Sequence, residues 1–210
     1  ARAGHDRGGM RANIEPMDLT SDLTSDMTSP ASPMEQGRAA RRVRPRSTLA
    51  ELSITGDRDP VAIISADDAD RLEWLLPERY RRMSVSPFTF FRGSASIMAR
   101  DLGGMPNSGL VTQLCGDAHL GNFGMYASPE RSLLFDVNDF DETHPGPFEW
   151  DVQRLATSCV LAARESGFAT ELAERAASSA ATQYQTAMLR YAQLGELDLW
   201  YQRVQVDDAV

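Results

Sequence analysis

Cys115-Gly116-Asp117-Ala118-His119-Leu120-Gly121-Asn122-Phe123-Gly124, followed by Phe135-Asp136-Val137-Asn138-Asp139-Phe140-Asp141-Glu142, holds the polar residues that neither helical nor strand periodicity explains. Val111 to Leu114 just before it reads as a short strand and Leu133 to Val137 as a second, with Ser128-Pro129-Glu130-Arg131 as the turn between. Glycines 116, 121 and 124 let the first stretch turn tightly enough to aim its side chains into one cleft. An acid, an amide five residues later, and acids at the end of the next strand form the layout that phosphoryl transfer requires. One carboxylate orients the attacking hydroxyl, while an amide oxygen and a second carboxylate hold the magnesium that neutralises the phosphates. Asp, Asn and Gly are also ordinary turn residues, so a plain hairpin turn is the competing reading. Against it, Asp136, Asp139, Asp141 and Glu142 crowd together beside Leu133-Leu134-Phe135, at a Coulombic cost that a bound cation would offset.

Outward from this centre the chain reads as helical. Ser65 before Ala66-Asp67-Asp68 has the form of an N-cap, and Leu72, Leu75 and Leu76 continue a stripe that stops before Pro77. Pro77 opens a further turn through Tyr80 and Met83. Pro87 opens another helix, with Phe88, Phe91, Ala95, Met98 and Leu102 on one face until Gly103-Gly104. After the acidic stretch, Phe148, Val152, Leu155, Cys159, Val160 and Ala163 share one face. Leu172, Ala176, Ala180, Tyr184, Met188 and Tyr191 share another beyond a break at Gly167. The expected class is α+β, mostly helical, with one small hairpin in the middle.

The 210 residues, 42% apolar and 24% charged, suffice for one domain and an extension. Residues 1–46 are expected to be a disordered tail. Asp-Leu-Thr-Ser occurs at 18–21 and 22–25 and Asp-Met-Thr-Ser at 26–29, too few apolar residues to offset the entropy of ordering, and Arg38, Arg41, Arg42, Arg44 and Arg46 follow. Folded sequence is expected over 47–210. Residues 1–46 carry eight Arg against six acids and the rest thirteen against twenty-four, so the folded part is acidic and disfavours nucleic acid as principal ligand. No apolar run approaches the roughly 20 residues of a membrane span. No secretory signal opens the sequence and two cysteines cannot staple a fold, which makes a reducing cytoplasm the default compartment. The chain opens on Ala, as an excerpt or processed product would.

Gly116-Asp117-Ala118-His119-Leu120-Gly121-Asn122 resembles the catalytic loop of aminoglycoside phosphotransferases and related small-molecule kinases, with Cys115 where those usually carry histidine. Asp139-Phe140-Asp141, followed by Gly146-Pro147 and Trp150-Asp151, resembles their metal-binding strand end. More closely still, the chain resembles the bacterial DUF2252 family, a domain of unknown function. The residues that carry this are Ser86-Pro87-Phe88, Phe91-Arg92-Gly93, the loop above, Asn138 to Thr143, Pro145 to Asp151, and Arg154-Leu155-Ala156. The resemblance spans roughly residues 40–205. It implies a protein-kinase-like C-terminal lobe that uses Mg and ATP and phosphorylates an unidentified small-molecule or protein acceptor. Asp117 would be the catalytic base, Asn122 a magnesium ligand, and Asp139 the second ligand with Asp136 as its competitor. His119 would brace the loop or be a plain surface histidine, and Asp151 would tie the next helix to the loop. Arg92 would face phosphate or pair with one of the many acids.

A kinase also needs a glycine-rich loop and a phosphate-gripping lysine. The chain has no lysine anywhere, and Gly103-Gly104 reads as a helix stop. In the resembled family the order of halves is permuted, so the nucleotide-binding lobe is expected beyond Val210, and little activity is expected of these 210 residues alone. A non-catalytic kinase-like scaffold is the main alternative. A metallophosphoesterase would need several histidines, and only His5, His119 and His144 occur. Zinc is disfavoured because Cys115 and Cys159 lie far apart in apolar sequence.

Overall fold

A computed structural model describes residues 32–54 and 56–205. The repeat at 18–29 lies outside them, and with it the expectation of disorder there. The fold class is α+β and mostly helical, with small antiparallel sheets. The Arg-rich part of the presumed tail differs from expectation, because Pro33–Val43 forms helix α1. Its start is fixed locally: Ser32 and Glu35 make a reciprocal capping box and Pro33 occupies the first turn.

Helix α2 spans Pro60–Asp67, not the stretch after Ser65. The cap is Asp59, whose carboxylate accepts from the Val61 and Ala62 amides, both at 3.0 Å, and Pro60 sets the first turn. Leu72 precedes a short 3-10 turn, Glu73–Leu75, which takes in Leu75, and Leu76 starts α3, Leu76–Met83. The single helix expected from Pro87 to Gly103 is two, α4 (Pro87–Arg92) and α5 (Ala95–Gly103). They part at Gly93, where a Cβ would stand 2.7 Å from Met83 Cγ. Met83 can therefore lie across the break, and with Ile64 and Ile97 it forms a core cluster joining α2, α3 and α5.

The centre holds two hairpins, one inside the other. Outer strands β1 (Val111–Leu114) and β4 (His144–Pro147) pair antiparallel, Val111 opposite Pro147 and Leu114 opposite His144. Inner strands β2 (Phe123–Ala127) and β3 (Leu133–Val137) pair from Phe123 opposite Val137 to Ala127 opposite Leu133. The strand at 111–114 thus pairs with 144–147, and the strand at 133–137 with 123–127. This nesting leaves two connecting loops, 115–122 and 138–143, side by side at the waist between the hairpins.

Helix α6 (Glu149–Glu165) follows directly and packs on α7 (Thr170–Tyr191), with the Phe148 and Tyr184 rings stacked at 6.1 Å. Gly167, at φ +79, supplies the left-handed residue that ends α6. Helix α8 (Glu196–Trp200) comes last, after which the Phe135 amide donates to Val204 O at 2.9 Å along the open edge of β3. Among the described residues no helix is long and apolar enough to cross a membrane.

Candidate functional site

The waist is stitched by backbone. The Asn138 amide donates to Asn122 O at 2.8 Å, and Thr143 Oγ1 donates to Leu114 O at 2.6 Å. Gly116 sits at φ +85, and a Cβ there would land on the Glu142 carbonyl oxygen. Only glycine combines the left-handed backbone with that approach. From below, Asp151 in the first turn of α6 accepts from the Cys115 and Gly116 amides at 2.7 and 3.1 Å, tying helix start to loop. Ser158 Oγ, two turns further along α6, accepts from the Leu120 amide at 2.9 Å.

Asp117, His119 and Asn122 are buried together within this loop. Asn122 Nδ2 donates to the Asp117 carbonyl at 2.9 Å, which leaves its amide oxygen without a hydrogen bond among the described residues. Asp117 Oδ1 accepts from Arg154 Nε, and His119 Nε2 stands 3.6 Å from Asp117 Oδ2. Arg154, which no local sequence pattern marks, organises the centre. Its Nη2 donates to Phe91 O at 2.7 Å and its guanidinium lies 4.2 Å over the Phe91 ring.

His119 Nδ1 is buried with no hydrogen-bond partner, and its ring meets Phe88 edge-on. Burial holds the imidazole below its ordinary pKa, opposed by Asp117 and reinforced by Arg154 and Arg92. Arg92 is exposed at the end of α4 and makes no ion pair among the described residues, so the expected pairing with an acid is not found. Its Nε is 3.4 Å from where a Gly121 Cβ would stand, which places it beside the loop.

The second loop brings Asp139 alongside. The Cys115 thiol donates to Asp139 O at 3.6 Å, while Asp139 Oδ1 accepts from the Asp141 amide at 3.2 Å. Partial burial pushes the Cys115 thiol up to about 11, with the Asp151, Asp117 and Asp139 charges adding to the shift. Glu142 is raised for similar reasons, first by burial and then by Asp117, Asp139 and Asp141. Asp117 and Asp139 therefore act on the same two neighbours. Asp136 lies on β3 opposite Gly124, exposed as Asp139 is, with Oδ1 taken by the Val137 amide.

As donors, the Asn122 amide oxygen and the Asp139 carboxylate are hard oxygen ligands of the kind magnesium prefers. Among the described residues no three His, Cys, Asp or Glu side chains form a group that could hold a metal.

The sequence profile of a bacterial family, uncharacterized protein conserved in bacteria (DUF2252), matches residues 71–210. The chain belongs to this family. Comparisons with curated proteins and with solved structures find no match.

Proposed function

We propose that this chain carries the catalytic half of a magnesium-dependent phosphotransferase acting from ATP. The reading rests above all on the loop from Asp117 to Asn122, in which the amide nitrogen is consumed by the Asp117 carbonyl and the amide oxygen carries no hydrogen bond, as suits a cation ligand. Asn122 and Asp139 would hold the magnesium, with Asp139 favoured over Asp136 because its loop abuts Asn122. Bound there, magnesium would supply charge neutralisation for the phosphates. Asp117 Oδ2, the oxygen not taken by Arg154, would orient the acceptor hydroxyl and receive its proton. Arg154 fixes that carboxylate, and Asp151 fixes the loop. With no lysine in the chain, Arg92 is the cation beside the loop available to meet phosphate.

One observation favours a rival. Asp117 is buried beneath Arg154, as befits a kinase-like scaffold whose acid has become structural. Magnesium-dependent ATP turnover separates the two, measured on the full-length protein as wild type and as Asp117→Asn. An enzyme loses turnover by about a hundredfold or more on losing its base; a scaffold shows no turnover to lose and keeps its partner binding.

A further inference from the structure

A cavity of about 650 Å³ opens between α3, α4, α5 and α6, on the far side of Phe91 and Met98 from Arg154. It is open to solvent along the exposed Leu52, Val85 and Phe90, and its volume lies in the range of small-molecule sites. We propose that it binds a neutral aromatic small molecule carrying at most one hydrogen-bond acceptor. The inference stands apart from the phosphotransferase reading.

The walls decide the ligand's chemistry. Phe90, Phe91, Met83 and Met98 offer ring faces and thioethers, surfaces that suit a flat aromatic body. The four hydroxyls of the lining have already committed their protons. Ser84 donates to Tyr80 O at 2.7 Å, Ser94 to Phe91 O at 3.3 Å, Thr157 to Gln153 O at 2.8 Å, and Ser86 to Glu165 at 2.8 Å. Arg58 and Asp101, the charged pair in the wall, neutralise each other through two bonds of 2.7 and 2.8 Å. A charged ligand would meet no free counter-charge and would lose its hydration uncompensated. Arg58 Nη1 carries no partner among the described residues, which provides for a single carbonyl or ether oxygen.

The test is titration of the full chain with Prodan, a neutral naphthyl ketone whose emission shifts to the blue in apolar surroundings. Val85→Asp and Thr157→Trp alter exposed wall positions, so their thermal melts should match wild type. Each is expected to weaken Prodan binding by about tenfold or more, by charging or filling the cavity. Trp200→Ser, on the exposed apolar surface of α8, should change nothing. The proposal is overturned if Prodan fails to bind, or if both cavity variants bind as wild type does. It is equally overturned if Trp200→Ser abolishes the signal, or if a naphthalene sulfonate binds the cavity as tightly as Prodan. Binding that emerges only when Leu19, Leu23 and Met27 are replaced by Ser would make the chain's own amino-terminal segment the occupant, and would also overturn it.

Discussion

Arg154 on α6 and Asp117 in the loop after β1 form an ion pair whose side chains are only 3% and 10% exposed. Two charges so placed stabilise the fold only together, because either one alone is a buried charge without a counter-ion. Arg154→Met should therefore cost about 3–5 kcal/mol in chemical denaturation. Asp117→Asn/Arg154→Met should cost less than the two single changes added, since the double variant strands neither charge. Simple additivity would show that the pair is not coupled.

Gly116 and Gly109 both lie at positive φ, but only Gly116 is crowded, by the Glu142 carbonyl, while Gly109 faces open space. Gly109→Ala should cost about 1 kcal/mol of backbone strain. Gly116→Ala carries the same strain plus a collision that pries the two loops apart, and should cost about 2 kcal/mol more. Equal denaturation midpoints for the two variants would mean that the loops do not touch at this point.

His119 gives the waist a pH dependence. Its folded pKa is lowered by burial, so the fold prefers the neutral ring. Its contribution is intact above the unfolded value of about 6.5 and is lost as pH falls from there toward the folded value, because the unfolded chain takes up the proton first. Stability measured between about pH 7.5 and about pH 5.5 should fall less steeply in His119→Gln than in wild type. Parallel slopes would place the imidazole in water.

What the sequence makes legible follows from where the signals are local. Helices α6 and α7 announce themselves through apolar steps of three and four residues, and Gly167 marks the break. Asp117 and Asn122 stand out because their spacing lies within one loop. The nesting is invisible at that range. β4 reads His144-Pro145-Gly146-Pro147, composition that argues against a strand, and it is one only because β1 across the waist supplies the partner. Its prolines are tolerated because a two-stranded sheet leaves each strand an open edge. α2 was legible in principle from Asp59-Pro60, but the rival cap at Ser65 matched the same rule. The role of Arg154 has no local signature, because its partner lies 37 residues away and no helical period encodes that contact.

On the proposed function, the nested hairpins matter because the Asn138 amide, donating to Asn122 O, holds the two loops together where a magnesium nucleotide would bridge them. Replacing magnesium by paramagnetic manganese makes this visible as selective broadening of backbone amide resonances when Mn·ATP is added. Broadening of residues 116–124 together with 138–143, lost in Asp139→Asn and absent from α7, is the expected result. Broadening that spares either loop, or centres elsewhere on the chain, would contradict a shared phosphate-handling site.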